Sequence, residues 1–421
     1  MKQLFLIAGL FIFTGLLAQD SIRFENCLEM AVENSPRLKD RQAINEEASL
    51  EIENIRSAWY PSLVLNGKVS YQSDVVSLEI SDPAFPFSFP EMPHEQFGIN
   101  IDLKQTIYDG GLSKQKKGYE QATTAAALQK IDVDIHSIKE QVSNLYFTIL
   151  LLQENRNTLE IALENLKARE KVLASAVENG IAEQSDQQVL AVEILSVMQS
   201  LSELDAARLG ALQMLEVYMG VDLEDDIVFR MPYLEIPESE EILRPEMQLF
   251  DLQARVFDAG KELSSVKRLP QVFAFGQAGV GMPGYNMLND QVDSYYMLGA
   301  GLQWNIWDWK TTKRDKQILE QKKQVVLNAS ETFSMKISAA SQKEIQNMHH
   351  FRNALNLDDQ MLEMRIGITA NAASKLDNGI LSASDYLQIF NEENRTRIGR
   401  STHKIQLFKA IANYNLILGT L

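Results

Sequence analysis

The sequence predicts a mixed α+β membrane protein that repeats one plan, helix–strand–strand–helix, twice. Three observations lead to this fold class. A pair of prolines, an Ile-aromatic-Asp corner and an Asn-Gly-Ile turn recur in the same order in both halves of the chain. Long stretches lack proline and glycine, the residues that break or weaken a helix interior. Between them, short segments alternate apolar and polar residues, as strands do. Recurrence on this scale indicates duplicated architecture.

The recurring positions keep a fixed spacing. Pro36 and Pro61 are as far apart as Pro245 and Pro270. Further along, Ile107-Tyr108-Asp109 returns as Ile306-Trp307-Asp308, and Asn179-Gly180-Ile181 returns as Asn378-Gly379-Ile380. The last two pairs are separated by the same interval. The two copies therefore stay in register from the corner to the turn.

These markers divide the chain into four predicted segments. Residues 1–18 have the features of a signal peptide, because a lysine precedes an apolar run and Ala18 offers a small residue for cleavage. That apolar run, Leu4 to Leu17, is too short for a stable membrane anchor. The other segments are the first repeat, residues 19–220, an acidic connector, residues 221–246, and the second repeat, residues 247–421.

Composition excludes several classes of protein. The formal net charge of −17 argues against nucleic-acid binding, which needs a basic face, and an apolar content of 45% argues against global disorder. Cys27 is the only cysteine, so no intramolecular disulfide can form. No segment after the signal is apolar for 18 consecutive residues, so a membrane-spanning part would have to consist of strands.

The long helices are predicted to form two hairpins, at about residues 112–219 and about residues 313–418. In the first, eight of ten a and d positions from Leu145 to Val177 are apolar, which indicates a coiled-coil seam. The Asn-Gly pairs suit the turns because both residues tolerate the left-handed conformation. Ser185-Asp186 and Ser384-Asp385 follow the turns and are predicted to cap the returning helices.

The strands are predicted at about residues 62–72, 97–107, 271–280 and 295–306. Their apolar and polar residues fall on opposite faces, except that Phe273 and Phe275 lie on the face expected to be polar. Alternation alone also fits a water-facing hairpin over a soluble core, with the faces reversed. The signal peptide and the matched pairs favour membrane strands with their apolar side outward. Aromatic residues at the strand ends, Tyr108, Trp304 and Trp307, are then predicted to lie at the membrane interface.

No catalytic, cofactor-binding or metal-binding constellation is predicted, and the chain is not expected to be an enzyme. Gly279-Val-Gly281-Met-Pro-Gly284 matches a phosphate-binding pattern, but a second strand follows it instead of the helix that such a site requires. Asp186 and Asp385 occupy equivalent positions after the two turns. Two interpretations fit them. They could cap the helices, or they could form a ring of carboxylates at the narrow end of a tube, and such a ring would select cations.

Over its mature length the chain resembles the TolC-type outer-membrane factor family. The opening Leu28-x-x-Ala31-x-x-x-Asn34-x-Pro36, the prolines that enter the strands, the Ile-aromatic-Asp corners and the closing Asn413-Tyr414-Asn415-Leu416 carry the resemblance. Four strands are too few to close a barrel, for which about eight is the smallest number known in a single chain. Several chains would have to share one.

The resemblance implies a homotrimer in the outer membrane of a Gram-negative bacterium, with a shared 12-stranded barrel in lipid and an α-helical tunnel in the periplasm. It also implies a periplasmic adaptor and an inner-membrane RND or ABC transporter as partners, in a tripartite efflux or type I secretion system. The turns at Asn179, Gly180, Ile181, Asn378, Gly379 and Ile380 would contact the adaptor. Asp186, Asp385 and Gln388 would line the periplasmic constriction. The alternative is a soluble periplasmic coiled-coil scaffold without a pore.

Overall fold

A computed structural model of the chain describes residues 21–76, 92–287 and 289–421. The predicted signal peptide lies outside these residues. The chain divides into two compact units. The first comprises residues 21–38, 134–244 and 335–421, and the second comprises residues 39–133 and 245–334.

The elements follow one another along the chain in two similar series. They are β1 (Ser21–Ile22), α1 (Phe24–Asn34), α2 (Arg37–Ser57), β2 (Ser62–Tyr71), β3 (Glu95–Tyr108), α3 (Leu112–Glu178), α4 (Gln184–Met219), β4 (Val228–Phe229), α5 (Pro245–Val266), β5 (Gln271–Met282), β6 (Asp293–Gln303), α6 (Thr311–Asp377) and α7 (Ala383–Leu418). Helices α3 and α6 each have 67 residues, and α4 and α7 each have 36. The two helical hairpins therefore match in length.

None of the helices in the described part of the chain is both long enough and apolar enough to cross a membrane. The long helices are amphipathic over parts of their length and carry charges throughout, as expected for helices that pack along a seam.

The second unit contains an antiparallel four-stranded sheet with the order β2-β3-β5-β6. Strand β6 ends at Gln303, although the alternation predicted a strand to residue 306. Gln303 pairs with Gln271, the first residue of β5, and Pro270 before it has no N–H to donate to a longer ladder. The residues from Trp304 to Asp308 therefore lie beyond the sheet.

The corner aspartates begin the two longest helices. Asp109 accepts hydrogen bonds from the backbone N–H groups of Gly111 and Ser113, at 2.8 and 2.7 Å. Asp308 accepts equivalent bonds from Lys310 and Thr312, both at 3.0 Å. Desolvation raises the pKa of Asp109, but these hydrogen bonds outweigh it and lower the pKa below its ordinary value. The Ile-aromatic-Asp corner is thus a helix start that follows directly on a strand.

The core of the first unit lies where α1, α3 and α4 meet. An aromatic cluster joins Phe24, Tyr146, Phe147 and Phe229, with ring centroids 5.1 to 5.9 Å apart. Cys27 is buried in the same core, and burial raises the pKa of its thiol to about 12. A free cysteine commonly behaves in this way, as a small apolar residue of the core.

The acidic connector is not an unstructured loop. Its strand β4 pairs in parallel with β1, and Gln153 of α3 bonds both the N–H and the carbonyl of Phe229, at 2.8 and 3.0 Å. Arg244, at the other end of the connector, is buried; it donates to Glu140 Oε1 at 2.7 Å, and its guanidinium lies 2.7 Å from His136 Nε2. Bonds from His136, opposed by desolvation and reinforced by Arg244, lower the pKa of Glu140. Side chains of α3 therefore fasten both ends of the connector.

We expect Tyr146→Phe to lower the stability of the first unit. The buried hydroxyl donates to the carbonyl of Arg230 at 2.6 Å and lies 3.2 Å from that of Ile22, so its removal leaves these acceptors without their partner. The loss should be about 1–2 kcal/mol, seen as a lower denaturation midpoint in detergent. Tyr233→Phe is the control because that ring is 83% exposed. An equal midpoint for the two variants would contradict the assignment.

Candidate functional site

Both helical hairpins turn through the same backbone motif. Gly180 and Gly379 have φ of +73° and +69°, the left-handed conformation in which a side chain is strained. The N–H groups of Gly180 and Ile181 bond back to Val177 and Ala176, and the second turn forms the equivalent bonds. This is the Schellman motif, which satisfies the last carbonyls of a helix.

The asparagines before these glycines also bond carbonyls of the last helical turn, through their side-chain amides. Asn179 Nδ2 donates to the carbonyl of Ser175 at 2.8 Å, and Asn378 Nδ2 donates to that of Ser374 at 2.7 Å. The Asn-Gly pair therefore closes each helix twice, once through a side-chain amide and once through the left-handed glycine. This explains why the pair recurs unchanged in the two turns.

The isoleucines after the glycines are exposed. A Schellman motif commonly buries this position against its own helix. Here Ile181 is 65% exposed and Ile380 is 74% exposed. The two turns lie beside each other, since a Cβ added at Gly379 would be 3.8 Å from Cγ2 of Ile181. The paired turns thus present two apolar side chains on one surface.

A hydrophobic cluster behind the turns holds the two hairpins together. Its buried members come from all four helices of the hairpins and include Leu173, Leu190, Leu376, Tyr386 and Phe390. Arg169 of α3 adds an ion pair with Asp377 of α6 and lies over the ring of Tyr386, 6.0 Å from its centroid. The turn region is therefore closed within one chain by apolar packing with a charged pair at its edge.

The two aspartates that the sequence makes equivalent have different surroundings. Asp186 is half-buried, and its Oδ1 accepts the N–H of Ala383, the first residue of α7, at 3.0 Å. Asp385 is exposed, and its carboxylate accepts a hydrogen bond from Ser382 Oγ at 2.7 Å. Asp186 therefore links the two hairpins, whereas Asp385 acts within its own helix. Gln388, one turn further along α7, is exposed beside it.

The predicted helix caps are wrong in position. The N-cap of α7 is Ser382, whose Oγ accepts the N–H of Asp385 at 3.1 Å, and not Ser384 or Asp385. The N-cap of α4 is Glu183, whose side chain accepts no backbone N–H of the helix, and not Ser185 or Asp186. Both helices begin before the predicted residues because the Schellman turns are short. Asp385 then falls at the third helical position, the reciprocal place in a capping box.

In the sheet of the second unit the apolar face is the exposed one. Leu63 is 69% exposed, Ile99 is 59% exposed and Tyr296 is 79% exposed. The opposite face is half-buried at Asn100 and Asp102. A soluble hairpin over a core would bury the apolar face and expose the polar one. The observed sheet has the reverse arrangement.

The polar face is held by a hydrogen-bond network around one carboxylate. Asp102 accepts from the side-chain amides of Asn66, Asn100 and Gln277, at 2.6, 2.8 and 2.7 Å. Tyr285 then donates to Gln277 Oε1 at 2.5 Å. The network crosses three strands, so this face is built to be polar and ordered.

The predicted interface aromatics are all exposed near the strand ends. Tyr108 is 49% exposed, Trp304 is 54% exposed and Trp307 is 67% exposed. Trp304 Nε1 donates to the carbonyl of Arg268 at 3.0 Å, which leaves the ring face free. Trp309, which was not among the predicted interface aromatics, is 76% exposed and packs edge-on against Trp307. Its position two residues after Trp307 was the available signal.

Among the described residues, no three His, Cys, Asp or Glu side chains come together in a way that could hold a metal ion.

Comparison with known proteins agrees with this architecture. The sequence profile of the outer membrane efflux protein family matches residues 27–221. This part of the chain is therefore similar to the outer membrane efflux protein family. A search of curated protein sequences finds no match.

Solved structures share the fold of this chain over 94% of its length. The CmeC outer membrane channel of Campylobacter jejuni matches with a TM-score of 0.70 and 15% identity, over 85% of its own chain. The outer membrane protein VceC of Vibrio cholerae matches at 0.68 and 13%, over 96% of its chain. The open state of the Neisseria gonorrhoeae MtrE outer membrane channel matches at 0.68 and 14%, over 89%. At these identities the likeness is one of fold.

We expect Asp186→Ala to loosen the contact between the two hairpins. The variant removes the acceptor of the buried Ala383 N–H, at a cost of about 1 kcal/mol, so amides at the start of α7 should exchange with deuterium about fivefold faster. Hydrogen-exchange mass spectrometry of the peptide around residue 383 measures this. Asp385→Ala is the matched control, because Ser382 still caps α7 in that variant. Equal acceleration in both variants would contradict a specific link through Asp186.

Proposed function

We propose that the protein is the outer membrane channel of a tripartite efflux or type I secretion system in a Gram-negative bacterium. It would conduct substrates passively from a periplasmic adaptor and an inner-membrane RND or ABC transporter to the exterior. The observation that carries the proposal is the inverted sheet, with its apolar face exposed and its polar face ordered by hydrogen bonds. Lipid suits the first face, and a water-filled passage suits the second.

Closure of the sheet requires more than one chain. Strands β2 and β6, of 10 and 11 residues, lie at the two edges and each has one unpaired side within the described sheet. Unpaired backbone groups in lipid cost several kcal/mol each, so the edges must pair with those of other copies. Three copies of the four strands would give the 12-stranded barrel of a homotrimer, with β6 of one copy beside β2 of the next.

The helical hairpins would form the periplasmic part of the passage. In this proposal the exposed Ile181 and Ile380 at the turns contact the adaptor, together with Asn179, Gly180, Asn378 and Gly379. Apolar side chains on an otherwise polar turn are a surface that a partner helix hairpin can cover. The cluster behind the turns then has to be opened for passage, with energy from the inner-membrane partner.

The proposal predicts ion channels in a planar bilayer. Purified full-length protein should insert into the bilayer and produce discrete single-channel steps, and cross-linking in detergent should yield a trimer. The alternative, a periplasmic coiled-coil scaffold, predicts a protein that extracts into aqueous buffer and forms no channels. A protein with that behaviour would overturn the channel proposal.

Asp385 has a proposed role in ion preference. Its exposed carboxylate, repeated in each copy of the channel, would favour cations at the periplasmic constriction, where Gln388 is its polar neighbour. Asp385→Asn should therefore lower the cation-to-anion permeability ratio by about twofold or more, measured from reversal potentials in a salt gradient. Asp186→Asn is the comparison, since Asp186 is already bonded to Ala383. Unchanged selectivity in Asp385→Asn would leave Asp385 a role only in its helix.

A further inference from the structure

The polar face of the sheet also carries aromatic rings, at positions where the alternation predicted polar residues. Phe273 and Phe275 lie on this face of β5, and Tyr295 lies on the same face of β6. The rings of the two phenylalanines are half-buried, with centroids 6.3 Å apart. A ring that stood up from an open strand would be more exposed. The sheet beneath the rings must therefore leave space for them to lie close to its surface.

Each of these rings lies across a glycine of a neighbouring strand. Phe273 pairs with Gly301, and Phe275 pairs with Gly299. A Cβ added at either glycine would be 2.5 Å from the ring Cζ of its partner. Tyr295 repeats the pattern, since its hydroxyl would lie 2.9 Å from a Cβ added at Gly279.

These distances mean that the glycines determine the position of the rings. Non-bonded carbon atoms pack at about 3.5–4.0 Å, so a Cβ at position 299 or 301 cannot coexist with the ring where it lies. The strands are fixed by the antiparallel ladder, whereas a phenylalanine can rotate about χ1 and χ2. The ring would therefore lift away from the sheet.

A cation–π contact with Lys104 stabilises the ring of Phe273 in its position against the sheet. The Nζ of Lys104 lies 4.4 Å from the centroid of Phe273, within the range of a cation–π contact. Lys104 stands opposite Phe275 in the ladder, so its side chain reaches Phe273 diagonally from the neighbouring strand. A lifted Phe273 would lose this contact.

We propose that Gly299 and Gly301 hold the rings of Phe275 and Phe273 flat against the wall of the passage and so set its width at this level. The inference rests on the proposed function, in which the polar face lines the passage of a trimer. Six phenylalanine rings, two from each copy, would then surround the passage. Rings that lie flat against the wall would leave the passage wide enough for bulky cargo. Rings that stood up from the wall would narrow the passage.

A purely structural role makes a different prediction. An aromatic ring laid over a glycine of an edge strand protects the strand and helps to fix its register. In that case alanine at the glycines would lower stability without a change in the conductance of the folded channel. Conductance therefore separates the two roles, and stability alone does not.

The test is single-channel conductance of the double variant Gly299→Ala/Gly301→Ala in the full-length protein. Lifted rings should lower the conductance at least about twofold and exclude large polyethylene glycols that pass the wild type. Adding Phe273→Ala and Phe275→Ala to this variant should restore the conductance. Gly98→Ala is the matched control, because Gly98 lies on the same polar face and a Cβ there makes only ordinary contacts, the shortest at 3.8 Å.

Phe273→Ala/Phe275→Ala with both glycines intact gives a reciprocal measurement that does not depend on the folding of the glycine variant. If the rings lie flat, the conductance of this variant should differ from that of the wild type by no more than about 25%. A twofold rise would mean that the rings already stand in the passage, and it would overturn the inference. Unchanged conductance in a folded glycine double variant would also overturn it. A wild-type protein that forms no channel would overturn the proposed function, and the inference with it.

Discussion

The structure depends on one requirement, the pairing of backbone N–H and carbonyl groups wherever water is absent. In a four-stranded sheet the inner strands are paired on both sides, whereas β2 and β6 each have one unpaired side. If the exposed apolar face of β3 lies in lipid, these unpaired backbone groups have no water to bond and need other partners. In the proposed channel, pairing of these edges with further copies would satisfy their backbone groups. The same requirement acts at the helix ends, where the Asn-Gly turns and the corner aspartates supply partners for the terminal backbone groups.

The two copies of the plan have the same backbone and different chemistry. Corresponding turns share the Schellman bonds, yet Asp186 reaches across to α7 while Asp385 bonds Ser382 of its own helix. The corresponding strands β2 and β5 also differ, since Asn66 of β2 donates a hydrogen bond to Asp102 whereas β5 carries flat phenylalanine rings. The two halves therefore share backbone features and differ in their surface chemistry.

Much of the secondary structure follows from local patterns. Proline-free stretches, the apolar seam and the Asn-Gly pairs are properties of neighbouring residues, and the helices and turns lie where these patterns occur. Contacts between distant residues left no comparable signal. The reach of Asp186 to Ala383 depends on how two hairpins pack, and the ladder stops at Gln303 because of Pro270 on another strand. Phe273 and Phe275 depart from the alternation of the polar face, and only their register across from Gly301 and Gly299 explains how that face accommodates them.

The matched lengths of the hairpins restrict how such a chain can change. Helices α3 and α6 have 67 residues each, and their turns lie side by side. Removing seven residues from α3 alone would move its turn by about 10 Å along the helix axis, past the turn of its partner. Ile181 and Ile380 would then no longer share a surface. Insertions and deletions in these helices are therefore tolerable only in pairs, one in each half.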